Sequence, residues 1–210
     1  MSDELRVFDP QGDEREASAV LGRAFARDPA VAYILGPQPA LRRATWLLRQ
    51  ALRATEAEAG GAGATSLIGT PIAGVAAWIP PERDPIPSLV RHLRLGGWAL
   101  PWRAGLGALP RVMRRDEDAA RRYRSDLEQP EWVLDVLGVD PAAQGRGVGR
   151  ALITAGLERA SADGVPAYLQ TYRIENVAWY RTLGFEVVSE ESYADVPQGW
   201  GMRWRPRVVT

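Results

Sequence analysis

Hydrophobic residues in the amino-terminal part of the chain recur at spacings that predict one short strand followed by two helices. Leu5 and Val7 alternate with polar residues, as in a strand. Between residues 17 and 25 the apolar positions fall three and four apart, which is the stripe of an amphipathic helix. Asp28-Pro29 is expected to stop this helix. A second stripe of the same kind runs from residue 41 to residue 52.

The pattern between residues 80 and 130 is harder to interpret. Several prolines open the segment, and an apolar stretch with Trp98 and Trp102 follows, whose large side chains are expected in the core. The segment ends in a run at 111–124 with six Arg and three acidic residues. This run is either a solvated helix face with i,i+4 ion pairs or a basic patch for an anionic ligand.

The remaining segments alternate between strand and helix patterns. Segments 65–68 and 72–79 flank a turn and predict a hairpin. Alternation of strands with helices after residue 132 implies a βαβ arrangement, with at least part of the sheet parallel. No repeat or linker divides the chain, so we expect one domain over residues 1–210. The segments predicted in this half are strands at 132–139, 167–171 and 185–188 and helices at 151–162 and 176–183.

Composition excludes several classes of protein. The 210 residues include 26 basic and 26 acidic side chains, and every basic one is Arg. A net charge of zero argues against a dedicated nucleic-acid binder, and 46% hydrophobic residues are typical of a globular chain. Without Cys there is no disulfide, thiolate zinc site or cysteine nucleophile. His92 is the single His, so no multi-histidine metal site is expected.

The amino terminus and the longest apolar stretch predict where in the cell the protein is located. The amino terminus carries Asp3 and Glu4 where a secretory signal would be basic. The longest nearly apolar stretch, 72–79, is far shorter than the roughly 20 residues that span a bilayer. These features predict a cytoplasmic protein without a membrane partner.

A glycine-rich turn follows the strand at 132–139 and predicts a phosphate site. Gly145, Gly147 and Gly149 allow positive φ and close approach of a ligand, and the helix that begins there points its N–H groups outward. Arg146 and Arg150 add positive charge. The chain has no Lys for a Walker loop, and G-x-G-x-G is not the dinucleotide spacing. A nucleotide-binding protein that uses this turn is one alternative.

Two motifs in this half resemble the GNAT superfamily of N-acetyltransferases. Leu137-Gly138-Val139-x-Pro141-x-x-Gln144-x-x-Gly147-x-Gly149-x-x-Leu152 resembles that family's acyl-CoA-binding segment. Tyr168-Leu169-Gln170-Thr171-x-x-x-x-Asn176-x-x-x-Tyr180-x-x-x-Gly184-Phe185 resembles its next strand and cofactor-contacting Asn. The phrase Leu-Gly-Val-Asp-Pro together with Asn-x-x-x-Tyr is similar to the branch that contains puromycin acetyltransferase. The chain departs from that branch at Gln170, where an acid is common, and at Trp179, where Phe is usual.

This resemblance implies an α/β (α+β mixed) fold of the GNAT type. Its central twisted sheet is mixed but mostly antiparallel, has six to seven strands and is flanked by helices. Acetyl-CoA would bind a cofactor core at about 131–190. Residues 25–40 and an insert at about 80–130 would line the substrate site. The resemblance implies as cofactor-binding residues Leu137, Gly138, Val139, Gln144, Gly145, Arg146, Gly147, Val148, Gly149, Arg150, Thr171 and Asn176.

Two residues are candidates for proton transfer. Tyr180 would protonate the departing thiolate, since a phenol with a pKa near ~10 is protonated at neutral pH. Asp135 is the candidate base; period-two alternation places it on the face of Leu137 and Val139, although an ion pair with an Arg is the alternative interpretation. Glu131, which we expect to be solvated, His92 and a water relay are the other candidates.

The sequence therefore predicts an acetyl-CoA-dependent N-acetyltransferase. It would act by direct attack of the primary amine of a small molecule in a ternary complex, as a monomer or homodimer. The alternative is a non-catalytic acyl-CoA-binding or regulatory module with the same fold. The acceptor amine, the acyl-chain preference and the general base are not identified by these motifs.

Overall fold

A seven-stranded mixed sheet forms the centre of the computed structural model, which describes residues 4–60, 65–86, 94–127 and 130–206. The strand order is β1-β2-β3-β4-β5-β7-β6. Only β4 and β5 are parallel neighbours; every other neighbouring pair is antiparallel. The strands are β1 Leu5–Val7, β2 Thr65–Ile68, β3 Gly74–Ile79, β4 Trp132–Val139, β5 Ala167–Thr171, β6 Glu186–Glu191 and β7 Gly199–Trp204.

Helices cover both faces of this sheet. One hydrophobic core lies between the sheet and helices α1 to α4, and a second lies between the sheet and helices α6 and α7. The described helices are α1 Glu14–Ala24, α2 Pro29–Leu35, α3 Leu41–Ala59, α4 Leu100–Ala104, α5 Ala108–Asp126, α6 Val148–Ala162 and α7 Ile174–Arg181. Short 3-10 turns at Gly97–Ala99 and Pro141–Ala143 precede α4 and α6. Among the described residues, no helix is both long and apolar enough to cross a bilayer.

The mixed, mostly antiparallel sheet predicted from the sequence is confirmed, and so are the bounds of β4 and β5. Two elements were missed. Asp28 does not simply stop a helix: its side chain accepts hydrogen bonds from the N–H groups of Ala30 and Val31, and Pro29 occupies the first turn, so Asp28-Pro29 starts α2. Strand β7 was missed because its sequence, Gly-Trp-Gly-Met-Arg-Trp, lacks the β-branched residues typical of a strand.

Strands β4 and β5 separate along their length. They pair from Trp132 with Ala167 to Leu134 with Leu169, and among the described residues no pair joins them beyond that point. A bulge interrupts β4 at the same place: Leu134 pairs with Trp78 and Val136 pairs with Ala77, which leaves Asp135 as the extra residue. The divergence opens a gap in the sheet, and the bulge lies in β4 where that gap begins.

Candidate functional site

A cavity of about 490 Å³ lies at this gap between β4 and β5. Residues of α2, α3 and α5 also line it. The cavity brings together Asp135 of β4, Thr171 of β5, and Asn176 and Tyr180 of α7. Its size is within the range of pockets that hold small organic ligands.

The bulge corrects the predicted direction of Asp135. Regular alternation would place it with Leu137 and Val139, which pack against the core beneath α6 and α7. Instead the extra residue shifts the register, and Asp135 Oδ2 accepts a hydrogen bond from the hydroxyl of Thr55 on α3. Asp135 therefore faces the side of the sheet that carries α3, and it still lines the cavity with Leu137.

Tyr180 lies deep in the site. Its ring packs against Trp179 and Phe185, with centroid distances of 4.9 and 5.6 Å. Burial raises the pKa of the Tyr180 phenol, so the group stays protonated at neutral pH. In the described part of the chain no residue hydrogen-bonds its hydroxyl, which leaves that group available to a bound molecule.

The predicted glycine turn has the geometry of an anion site. Gly145 and Gly147 have φ of 76° and 84°, a region that disfavours other residues, and a Cβ at either would meet no atom within 4 Å. No backbone hydrogen bond among the described residues uses the N–H groups from Gln144 to Gly149. Helix α6 begins at Val148, so its positive end lies behind this turn. Arg146 is exposed, and the turn can hold a phosphate.

Hydrogen bonds and close packing fix the elements on the two sides of the cleft. Asn176 Nδ2 donates a hydrogen bond of 3.1 Å to Oγ1 of Thr171, which ties the start of α7 to the end of β5. Gln144 Nε2 donates to the carbonyl of Val139, which closes the turn onto β4. Gly138 is fully covered by α1: a Cβ there would lie 2.6 Å from Leu21 Cδ2, so the glycine permits close packing of α1 on β4.

The other predicted cofactor residues also lie along this turn. Val148 is buried in the core beneath α6, so only its backbone faces the turn. Gly149 lies against Val139 and Trp179. The exposed Arg150 side chain is 3.5 Å from Oγ1 of Thr182. The two motifs are therefore neighbours in space as well as in sequence.

Carboxylates outnumber guanidinium groups on the cavity wall. Asp28 is almost completely buried, and burial raises the pKa of its carboxyl even though two backbone N–H groups hydrogen-bond to it. A wall with this excess of negative charge attracts a cation. The charged residues of the lining are Asp28, Glu58, Asp116, Glu117 and Asp135 on one side and Arg115 and Arg124 on the other.

Hydrogen bonds join α5 to β5 and to Tyr172, the residue that follows β5. The sequence did not predict these contacts. Tyr168 donates a 2.6 Å hydrogen bond to Asp126, Gln170 donates a 3.1 Å bond to the carbonyl of Ala119, and Tyr172 donates a 3.0 Å bond to Asp118. Three polar side chains at period two in a buried strand are the signal that could have revealed this face. Because α5 lines the cavity, these contacts set its shape.

The Arg-rich run forms neither a uniformly solvated face nor a basic patch. Arg122 is buried and pairs with Asp118, and it also donates to the carbonyl of Glu191. Arg121 is exposed, 3.7 Å from Glu117 and stacked over the ring of Tyr193. The run therefore combines a buried anchor with surface pairs.

The predicted environments of Glu131, Trp98 and Trp102 are wrong. Glu131 is not solvated: it is buried and pairs with Arg203 at 2.9 Å, so it belongs to the packing of β7. His92 lies outside the described residues. Trp98 and Trp102, expected in the core, are 65% and 79% exposed.

Comparison with known proteins gives matches in sequence and in fold. Residues 104–185 match the model of a family described as Acetyltransferase (GNAT) family. The mycothiol acetyltransferase of Nocardioides sp. is 41% identical over 61 residues, which are 28% of this chain and 21% of that protein. That of Mycobacterium avium is 30% identical over 132 residues, 50% of this chain and 42% of that protein. The matches thus span less than half the length of these relatives.

A solved structure resembles the chain over its full length. The crystal structure of the histone acetyltransferase HPA2 and related acetyltransferase from Corynebacterium glutamicum is similar with a TM-score of 0.66 and 24% identity. The superposition covers 100% of this chain and 99% of that one. At this identity the likeness shows the fold.

Proposed function

We propose that this chain is a GNAT acetyltransferase that transfers the acetyl group of acetyl-CoA to the primary amine of a small molecule by direct attack in a ternary complex, which the family match over residues 104–185 supports. The observation that carries this proposal is the cavity between β4 and β5, which joins Asp135 and Tyr180 in one space. The mycothiol acetyltransferases that match the chain are acetyltransferases by name, which supports the reaction class.

The glycine turn and the cleft fit coenzyme A. The N–H groups from Gln144 to Gly149, with Arg146 and Arg150 beside them, would hold its pyrophosphate. Pantetheine would pass through the gap, where β4 lacks a strand partner on the side of β5, against Leu137 and Val139. When bound, acetyl-CoA supplies an acetyl group activated as a thioester. Fixed N–H groups of β4 would stabilise charge on the thioester oxygen by about 3 kcal/mol, the size measured for one oxyanion-hole donor.

Tyr180 is the proposed general acid. Its hydroxyl carries a proton at neutral pH because the pKa of a phenol is near ~10, and burial raises the pKa of Tyr180 further. Tyr180 lies on the cavity wall with Asn176 and Thr171. This arrangement supports the proposal that the proton lies at the thioester end of the cleft. Donation of the proton from the phenol oxygen to the thiolate neutralises the leaving group.

Asp135 is the proposed base for the substrate ammonium. The bulge directs its carboxylate into the cavity, and the Thr55 hydroxyl fixes its orientation. A carboxylate there would accept the proton directly or through water. Glu131 is excluded from this role because Arg203 pairs with it in the interior.

The cavity wall supports a cationic amine as substrate. Among the described residues, five carboxylates and two guanidinium groups line the cavity, together with apolar residues such as Val31, Trp46 and Leu100. A ligand with an ammonium group and an apolar body would match both features. The lining supports a substrate role for α2 and α5, which lie in the predicted segments 25–40 and 80–130, and also for α3, which lies outside them.

Turnover and binding must be measured separately to test this proposal. Purified protein is incubated with acetyl-CoA and a panel of apolar mono- and diamines while release of the free thiol is followed, and affinity for CoA is measured by calorimetry. We expect thiol release with at least one amine, and Tyr180→Phe should lower kcat by about 10²-fold at unchanged CoA affinity. CoA binding without turnover across the panel would favour the non-catalytic module.

A further inference from the structure

The face formed by the 3-10 turn at 97–99, α4 and the start of α5 is apolar where the surface of a helix is normally polar. Trp98, Trp102 and Leu106 are 65%, 79% and 85% exposed, and Leu109 and Met113 are also exposed. These five residues are called the tryptophan patch below. Between residues 96 and 110 the sequence has a single charged side chain, Arg103, and it has no Asn, Gln, Ser or Thr. Contiguous apolar exposure of this kind marks an interaction surface.

The charge around the tryptophan patch is strongly one-sided. From residue 94 to residue 115 the chain has five Arg and no Asp or Glu, although its net charge is zero. Arg103 is exposed on α4 between the residues of the patch, and Arg114 is exposed on the next turn of α5. Part of the charge of Arg114 is offset by Asp195 at 3.2 Å. The partner of this surface must therefore accept both indole rings and positive charge.

A second copy of the chain does not satisfy this requirement. A twofold-symmetric contact would bring the same patch, and the same Arg residues, against each other. An anionic lipid surface satisfies both halves, because Trp is favoured at the boundary between headgroups and hydrocarbon and Arg is attracted to anionic headgroups. We propose that the tryptophan patch docks this protein onto a lipid surface that carries anionic headgroups.

The position of the tryptophan patch relative to the cavity gives docking a consequence. Leu109 and Met113 belong to the patch and also line the cavity. Docking would therefore bring one wall of the cavity next to the bilayer surface, where amphipathic amines concentrate. The expectation of no membrane partner rested on the lack of a spanning segment, and a peripheral surface needs none.

Vesicle co-sedimentation tests the proposal without any measurement of activity. The probes are vesicles of phosphatidylcholine and phosphatidylglycerol in equal parts, with phosphatidylcholine vesicles for comparison. We expect binding to the anionic vesicles that weakens with added salt, and at most weak binding to the neutral ones. A double variant with Trp98→Ser and Trp102→Ser should bind at least tenfold more weakly. Both side chains are exposed, so the thermal unfolding of the variant should match that of the parent.

Two matched controls separate docking from general effects. Val188→Ser removes an exposed apolar residue from β6, and Arg121→Glu changes the net charge as much as Arg103→Glu does but on the distal part of α5. Only Arg103→Glu should weaken vesicle binding severalfold. The proposal is overturned if the parent protein does not bind anionic vesicles at low salt, or if the double variant binds as the parent does. A concentration-dependent dimer that the double variant abolishes would assign the patch to a second copy instead.

Discussion

The hydroxyl of Thr55 donates a hydrogen bond to Oδ2 of Asp135, the extra residue of the bulge in β4. Thr55 is buried in α3, and Asp135 lies on the cavity wall. The bond therefore joins α3 to β4, the strand whose divergence from β5 opens the cleft. It fixes the carboxylate at the point where a substrate ammonium would enter.

Substitution of this pair separates proton transfer from binding. Asp135→Asn should lower kcat by roughly 10²-fold because an amide accepts no proton, whereas Thr55→Val should lower it only severalfold, since the carboxylate remains. Both are measured as kcat and KM with the amine found in the thiol-release screen. In the double variant the effect of Thr55→Val should vanish. A raised KM at unchanged kcat in Asp135→Asn would show that this carboxylate binds the ammonium and transfers no proton.

The glycine turn predicts a second result. Gly147→Val forces a β-branched residue into φ of 84°, at a cost of about 1–2 kcal/mol, and should abolish the stabilisation of the protein by CoA in thermal unfolding. Gly164 is a matched control: its φ is 68° and a Cβ there would also meet no atom within 4 Å. Gly164→Val should cost a similar amount of stability while CoA still stabilises the protein. Equal stabilisation of both variants by CoA would contradict the proposed phosphate site.

Local signals predicted the second half of the chain well. The strands at 132–139 and 167–171 were found because apolar content and turn residues are encoded within each segment. The direction of Asp135 was wrong because a bulge depends on the pairing of β4 with β3, which the spacing of one strand does not contain. Glu131 was expected to be solvated for the same reason: its partner, Arg203, lies 72 residues further along the chain.

Much of the cavity wall comes from α2, α3 and α5, and its long-range contacts were beyond local patterns. The hydrogen bond from Gln170 to the carbonyl of Ala119 spans 51 residues, and that from Thr55 to Asp135 spans 80. Trp98 and Trp102 were expected in the core because large apolar side chains usually are, and only the placement of α4 shows them exposed. Motifs therefore located the candidate cofactor site, whereas the candidate substrate wall required the structure.

Asp28 combines a structural and an electrostatic role that two substitutions separate. Asp28→Asn keeps the cap of α2 and removes a buried charge whose pKa burial raises. Because the raised pKa means that ionisation opposes folding, stability at neutral pH should stay the same or increase, while KM for a cationic amine should rise several-fold. Asp28→Ala should lose the cap and about 1 kcal/mol of stability. The free energy of unfolding and KM are measured for both; a lower stability of Asp28→Asn would contradict the argument.

Replacement of Gln170 with Glu should destabilise the protein, although an acid is common at this position in the branch that contains puromycin acetyltransferase. Its amide donates to the carbonyl of Ala119 on α5, and an ionised Glu has no proton to donate. Gln170→Glu should therefore lower the free energy of unfolding at pH ~7 by about 1–3 kcal/mol. Near pH ~4 part of the Glu is protonated, so the loss should shrink there. Urea unfolding at the two pH values measures this change, and a loss of equal size at both would remove the hydrogen bond from the explanation.

The buried phenol of Tyr180 predicts how stability responds to alkali. Tyr in the unfolded chain loses its proton near pH ~10, whereas burial raises the pKa of Tyr180 in the folded protein. Below that pH both states are protonated and Tyr180 has no effect on the pH dependence. Above it the unfolded state binds fewer protons than the folded state, so stability falls as pH rises.

Tyr180→Phe removes this contribution and leaves the packing of the ring against Trp179 and Phe185. At pH ~7 the variant should be about as stable as the parent, since no hydrogen bond in the described part of the chain is lost. At pH ~11 it should be more stable than the parent by about 1 kcal/mol, the size of one pKa unit. Urea unfolding at the two pH values, with the ultraviolet absorbance of tyrosinate in the folded state, measures both quantities. A difference that is the same at both pH values would mean that Tyr180 ionises in the folded protein as it does in the unfolded chain, which would contradict the burial of its hydroxyl.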